Sequence, residues 1–200
     1  LIKKFNINVS YFYTSYLERA RDTLKIILNI LDKNKVFLEE AWELNERHYG
    51  SLTGLNKSDL KKKLGEKTFN NYRRSWNIAP PPIEINSDFK NKFSSLNSNI
   101  PSTKIPSTES LKDTYNRVVP FYKKKVLSNL IGENSVIIVA HGNSLRALCK
   151  YLFNLSESKI NFLEIPTGNP LYIELDNKYQ KATKAYYLDK IRKKEIFFNE

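Results

Sequence analysis

The sequence predicts an α/β protein, a mostly parallel sheet with helices on both faces, and two stretches carry that prediction. Residues 135–140 form a continuous apolar run, the pattern of a strand covered on both faces. The run empties through His141, Gly142, Asn143 and Ser144 into helical spacing over 145–153. Residues 9–13 are β-branched and aromatic. They lead through the cap-type residues Thr14 and Ser15 into Leu17, Ala20, Leu24, Ile27, Leu28 and Leu31 at helical spacing. Strand candidates at 171–175 and 182–187 complete the sheet.

The remaining elements follow in order. A short strand is expected near 36–38, then a polar loop over 44–50, then helices over 57–64 and 66–76, the second stopped by Pro80, Pro81 and Pro82. Residues 83–107 are rich in Ser, Asn and Lys, contain Pro101 and Pro106, lack periodicity, and read as a surface excursion within a single domain spanning 1–200. Helical spacing resumes over 108–130, with Leu111, Tyr115, Val118 and Val119 on one side and a kink expected at Pro120.

At 200 residues with 40% hydrophobic content the chain can bury a core without a disulfide or metal, and its composition is neither collagenous nor low-complexity. The single cysteine, Cys149, shares a helical face with Leu145, Leu148 and Leu152 and reads as a core residue. No apolar run of membrane length and no charged-then-apolar leader is present, so the expected compartment is reducing, the cytoplasm. A net charge of +12 attracts nucleic acid, anionic membranes or small phosphorylated molecules, and charge alone does not choose among them. The short lysine runs at 61–63 and 123–125 read as solvated helix faces.

Three groups of residues can carry chemistry. In an open α/β sheet ligands bind beyond the carboxyl ends of strands, where His141, Gly142 and Asn143 stand at a helix N-terminus suited to an anion; position alone leaves open that His141 only ends the strand. Glu46, Arg47, His48 and Tyr49 put a carboxylate, a guanidinium, an imidazole and a phenol in one loop, a candidate for general acid/base work. Arg73 and Arg74 could clamp a carboxylate or phosphate, or simply decorate a helix surface. With two histidines and one cysteine there is no zinc pattern, and no phosphate-binding glycine fingerprint occurs.

Taken together, Thr14-Ser15 with Leu17-Glu18-Arg19-Ala20, the loop 44–52 with Gly54-Leu55-Asn56-Lys57, Arg73-Arg74, Pro80-Pro81-Pro82, Ser107 to Leu111, Ala140 to Arg146 and Ile165 to Gly168 resemble the cofactor-dependent phosphoglycerate mutases of the histidine phosphatase superfamily, in the family's order from about Phe12 to Tyr187. The resemblance implies a three-layer α/β fold and an isomerase, an intramolecular phosphotransferase of glycolysis and gluconeogenesis. Such an enzyme interconverts 3- and 2-phosphoglycerate through a phosphohistidine primed by 2,3-bisphosphoglycerate, without a metal. It assigns Glu46 as proton donor and acceptor and His141 as stabiliser of the transferring phosphoryl group. Gly142 and Asn143 line the same site, and Arg19 is a phosphate-pocket arginine. Tyr49, Lys57, Arg73 and Arg74 hold the substrate's carboxylate and distal phosphate; Arg47 and His48 share the motif, His48 with local hydrogen bonding only. The implied partners are small phosphorylated three-carbon acids and a second copy of the chain, with neither nucleic acid nor membrane.

The sequence departs from the family at three places. No Arg-His-Gly-Glu segment, where the family's nucleophile lies, is present; the expectation is therefore an N-terminally truncated domain lacking its first strand, which would lie beside residues 135–140, and a chain inactive alone. The stretch 83–107 and the basic tail 189–200 also differ. Rival readings are a bisphosphoglycerate synthase or phosphatase, which share the pocket, and an inactive mutase-fold fragment serving as a basic binding protein.

Overall fold

The computed structural model describes residues 1–84, 100, 104–130, 134–176 and 181–197, so most of the 83–107 stretch and the last three residues of the basic tail lie outside the described residues. In chain order the main elements are β1 (Tyr11–Thr14), α1 (Glu18–Ile30), β2 (Phe37–Glu40), α2 (Lys57–Leu64), α3 (Glu66–Arg74), α4 (Leu111–Phe121), β3 (Val136–Val139), α5 (Gly142–Leu152), β4 (Leu171–Leu175) and β5 (Ala182–Tyr187). The first three strands form a parallel sheet in the order β2-β1-β3. Tyr11 stands opposite Phe37 on one side and Val136 on the other, and the register continues unbroken to Thr14 opposite Glu40 and Val139.

Successive side chains of a strand leave on opposite faces, so β1 serves two cores. Phe12 packs with Val9, with Leu24 of α1 and with Ile137 and Val139 of β3. Tyr13 leaves on the other face and joins Val118 and Phe121 of α4 and Ala147 and Leu148 of α5. Both Phe12 and Tyr13 are fully buried, which makes β1 the middle of three layers, helix on sheet on helix, as the resemblance implies.

Several local expectations need correction. Thr14 and Ser15 do not cap α1: Thr14 ends β1, and the N-cap position is Leu17, whose amide donates to Ser15 Oγ. The second early helix ends at Arg74 rather than Trp76, whose ring turns inward to pack edge-on against Tyr115. The kink expected at Pro120 is a change of helical pitch. A proline has no N–H to donate, and the α-helix gives way to a π-helical turn at Tyr122–Val126 and a 3-10 turn at Leu127–Leu130. At its other end α4 is closed by a reciprocal cap, with Ser110 Oγ accepting from Asp113 N while Asp113 accepts from the Ser110 amide.

β3 departs most from its sequence pattern. Its four residues are only half-buried, although the run reads as a strand covered on both faces. β1 pairs with one of its edges, and no strand among the described residues pairs with the other. β4 and β5 pair with each other, antiparallel, rather than extending the parallel sheet. A cavity of about 1640 Å³ lies between, lined by Val136 and Ile138 of β3, Leu171 and Ile173 of β4, and His141 and Arg19 at one end. The resemblance puts a further strand on this side of β3. Among the described residues no helix is long and apolar enough to cross a membrane.

An open, apolar strand edge offers N–H and C=O groups to any extended segment. The 200-residue chain is therefore expected to self-associate, giving species larger than a monomer by size-exclusion chromatography with light scattering. A chain extended upstream by a strand of the family pattern is expected to run as a smaller, cooperatively melting species. A monodisperse monomer with a sharp thermal transition from the short chain would refute this.

Candidate active site

The carboxyl ends of β1 and β3 bring Ser15 and His141 side by side, with Arg19 above them from the first turn of α1. Ser15 Oγ is 2.7 Å from His141 Nε2, and Arg19 Nε donates to His141 Nδ1 at 3.0 Å. A guanidinium can only donate, so Nδ1 is the acceptor and the imidazole carries its proton on Nε2, which then donates to Ser15 Oγ. Burial, followed by repulsion from Arg19 and Arg117, holds the imidazole far below its usual range, down to about 3. His141 is thus a neutral hydrogen-bond donor at physiological pH.

Glu46 reaches this place from the loop between β2 and α2. Ala41 N donates to Thr14 O at 2.8 Å, carrying the pairing of β2 past its end, and a 3-10 turn at Trp42–Leu44 leads the chain toward the site. Glu46 Oε1 accepts from three donors: Arg47 N at 2.8 Å, Asn143 Nδ2 at 3.1 Å and Asn143 N at 3.3 Å. The free amides at the N-terminus of α5 were expected to cradle an outside anion, and in the structure the Asn143 amide is aimed at the protein's own carboxylate. Asn143 Nδ2 also donates to Tyr49 Oη at 2.8 Å, and its Oδ1 accepts from Arg146 Nη1 at 2.9 Å. A Cβ built on Gly142 would meet nothing within 4 Å, so there is open space beside this turn.

Two residues without an assigned role hold the Glu46 loop. Arg117 of α4 donates to Glu109 through Nε (2.6 Å) and Nη2 (2.9 Å), and to the carbonyls of Glu43 (2.5 Å), Asn45 (3.0 Å) and Glu46 (3.4 Å). Glu109 in turn accepts from His48 N at 2.8 Å and donates its own amide to His48 O at 2.9 Å. The His48 ring, pushed below its usual pKa range by burial, accepts from Gly50 N at 3.1 Å, which agrees with a local hydrogen-bonding part. Gly50 has φ +55°, and a Cβ there would lie 2.0 Å from Pro81 O, so the turn after Tyr49 requires glycine against the proline run.

Cations surround the far side. Arg47 is 2% exposed, lies 4.5 Å from the Tyr49 ring and donates to Tyr72 O at 2.7 Å, while its Nε and Nη1 have no acceptor among the described residues. Arg73 sits over the same tyrosine at 5.7 Å and over Phe69 at 5.4 Å, and Arg74 donates to Glu164 Oε1 at 2.5 Å. Arg146, also buried, donates to Ile160 O and Arg74 O. The structure therefore unites Glu46, Arg47, Tyr49, Arg73, Asn143 and, through Arg146, Arg74, and joins His141 to Arg19. Lys57, the exposed first residue of α2, makes no bond to this group among the described residues. Sequence reasoning missed Arg117 and Glu164, and it quoted Ser15 and Arg146 within motifs without giving them a role in the site. Glu109 lay inside a quoted motif without a role. Cys149 is fully enclosed and its thiol is pushed up to about 12 by burial, as a core residue should be. Among the described residues no group of His, Cys, Asp and Glu could hold a metal ion.

The profile of the histidine phosphatase superfamily (branch 1) matches residues 2–101 and 81–186. A 2,3-bisphosphoglycerate-dependent phosphoglycerate mutase from Pelagibacter ubique is 48% identical over 195 residues, covering 98% of this chain and 81% of the relative. Phosphoglycerate mutase 1 of Saccharomyces cerevisiae is 40% identical over 189 residues, covering 94% and 76%. Among solved structures a mycobacterial glucosyl-3-phosphoglycerate phosphatase superposes with TM-score 0.61 at 17% identity, over 90% of this chain and 76% of that one, a likeness of fold.

The neutral His141 carries a pH signature. In the unfolded chain its pKa returns to about 6.5, so between that value and about 3 the unfolded state binds a proton that the folded state refuses. His48 is displaced in the same direction. Stability is accordingly expected to fall as pH drops from 6.5, by up to about 1.4 kcal/mol per pH unit through His141, with His48 acting in the same direction. Thermal unfolding between pH 7 and 5, above the carboxylate range, reads it, and His141→Gln should flatten the slope. Equal slopes for the two proteins would overturn the assignment of a neutral imidazole.

Proposed function

The chain belongs to the histidine phosphatase superfamily (branch 1), among its 2,3-bisphosphoglycerate-dependent phosphoglycerate mutases, and from that premise we propose that its site binds and interconverts 3- and 2-phosphoglycerate. One observation carries the reading: Glu46 has its Oε1 fixed by three donors while Oε2 has no donor among the described residues. A carboxylate oriented in this way, with one oxygen unengaged, is equipped to take a proton from a substrate hydroxyl and return it to the other. The reaction calls for this twice, once for each hydroxyl.

The surrounding residues fit an anionic three-carbon acid. Arg47 and Arg146 keep guanidinium nitrogens that are buried and without protein partners, and Arg73 and Arg74 stand beside them; a carboxylate or phosphate would supply the missing acceptors. When bound, 2,3-bisphosphoglycerate supplies the priming phosphoryl group. Arg19 and the Nε2–H of His141 are the donors aimed at the end of the site beyond β1 and β3. There a fixed guanidinium and a neutral imidazole can meet charge that spreads over the oxygens of a transferring phosphoryl group. Asn143 couples the carboxylate to the arginine cluster, since one amide touches both Glu46 and Tyr49. Tyr49 supports the arginine cluster with its ring face. Synthase and phosphatase activities would use the same groups, and the cytoplasm is the matching compartment for such metabolites.

Neither histidine is available as a phosphoryl acceptor. The His48 ring is tied to Gly50, and both His141 nitrogens are engaged. The 200-residue chain is therefore expected to bind 3-phosphoglycerate by calorimetry yet to show no turnover and no acid-labile phosphohistidine after exposure to 2,3-bisphosphoglycerate. Phosphate found on His141 would overturn this.

In an extended chain with measurable mutase activity, Glu46→Gln should lower kcat by about a hundredfold or more with little change in substrate affinity. Arg73→Ala with Arg74→Ala should instead raise KM strongly. Full turnover in the first variant, or unchanged KM in the second, would remove those residues from the proposed site.

A further inference from the structure

Arg74, one of the cations proposed to hold the substrate, is not idle in the free protein. Its Nη2 donates to Glu164 Oε1 at 2.5 Å, and the second oxygen of the same carboxylate, Oε2, lies 3.5 Å from Lys194 Nζ in the segment after β5. Glu164 is held in place from behind: the hydroxyl of Tyr187, a core residue of β5, donates to its carbonyl at 3.0 Å. The segment carrying Lys194 is likewise anchored, since Arg192 bonds Asp189 at 2.6 Å and reaches the carbonyls of Thr167 and Gly168. A protein carboxylate thus occupies the guanidinium that a substrate carboxylate would use, and a second cation already stands on that carboxylate's other oxygen.

We propose that Glu164 is a built-in competitor for Arg74, which it holds in the free protein and yields to the carboxylate of the bound substrate, with Lys194 retaining Glu164 afterwards. The inference rests on the proposed phosphoglycerate reading of the site and names a specificity-determining residue within it. The contact is well placed for exchange. Both side chains are two-fifths exposed, at 40% and 44%, so the pair is solvated, weak and reversible rather than a buried structural bridge. The exchange replaces one carboxylate on Arg74 by another and leaves no charge unpaired, because Lys194 remains on Glu164. It also selects: a ligand with a carboxylate in reach of Arg74 can displace Glu164, whereas a plain phosphomonoester engages the Arg19–His141 end and leaves the pair intact.

Calorimetric titration of the 200-residue chain with 3-phosphoglycerate, and separately with glycerol phosphate, which lacks the carboxylate, tests this. Glu164→Gln should tighten 3-phosphoglycerate binding about two- to fivefold, the range of an exposed ion pair, and change glycerol phosphate by less. Asp32→Asn, which removes a remote carboxylate, should leave both unchanged. Lys194→Ala should weaken 3-phosphoglycerate binding in the native background and have no effect beside Glu164→Gln. Equal tightening for the two ligands, or an equal effect of Lys194→Ala in both backgrounds, would reduce Glu164 to a general charge and overturn the proposal. Failure of every protein to bind 3-phosphoglycerate would overturn the phosphoglycerate reading instead. The contact is then decided by labelling with phenylglyoxal and mass spectrometry of the Arg74 peptide: faster labelling in Glu164→Gln upholds the hold on Arg74, and an unchanged rate removes it.

Discussion

The site depends on a single buried ion pair, Arg117 with Glu109, whose side chains are 10% and 4% exposed. A guanidinium carries five N–H groups, and here each has an acceptor: the two Glu109 oxygens and the carbonyls of Glu43, Asn45 and Glu46. Glu109 Oε2 also accepts from the amide of His48. Three carbonyls of the 43–48 loop thus converge on Arg117 of α4 and the His48 amide on its partner Glu109, and the loop can present Glu46 only in the shape they dictate. Burying two charges is costly, and breaking such a pair by truncating one partner costs about 3–5 kcal/mol, because the other charge is left buried and uncompensated. Lysine, with three donors on a single nitrogen, could not satisfy the same set.

The arginines on the opposite side of Glu46 show the reverse condition. Arg47 and Arg146 are more deeply buried than Arg117, yet Arg47 Nε and Nη1 and Arg146 Nε find no acceptor among the described residues. Burial, then the neighbouring Arg74 and Arg47, pull the Arg146 pKa down to about 10, which expresses the same surplus of positive charge. Unpaired buried donors and crowded cations cost folding free energy, and a chain keeps them where a ligand supplies what is missing. The contrast between a saturated arginine holding the loop and unsaturated arginines facing the far side separates positioning from binding more clearly than residue type could.

Much of this was legible in the sequence because it is local. The strand-to-helix transitions at β1–α1 and β3–α5 follow from a change of hydrophobic period at a known place, and α2 occupies the range 57–64 expected of it. What was missed is long-range. Ser15 reads as a helix cap because serine before a periodic stretch usually is one, and its partner His141 lies 126 residues away. Arg117 looks like one more surface cation on an amphipathic helix, since nothing in its neighbourhood announces three carbonyls from residues more than 70 positions earlier. The apolar run of β3 gave the right element and the wrong burial, because periodicity reports which residues avoid water and not whether a neighbouring strand is there to cover their edge.

The two ends of the site also explain why a neutral histidine belongs among so many cations. A protonated imidazole at position 141 would sit against Arg19 and within the field of Arg117, and both repulsions act in the direction in which its pKa is displaced. Left neutral, it keeps one N–H for donation, and the Arg19 Nε–H fixes which nitrogen carries it. An anion arriving between Arg19 and His141 would weaken that repulsion and replace Ser15 Oγ as acceptor, so the same geometry that keeps the free imidazole uncharged makes its basicity rise with occupancy. In the proposed reaction, electrostatic help for a transferring phosphoryl group is then strongest when the group is present, and the free protein avoids holding another buried positive charge beside Arg19 and Arg117.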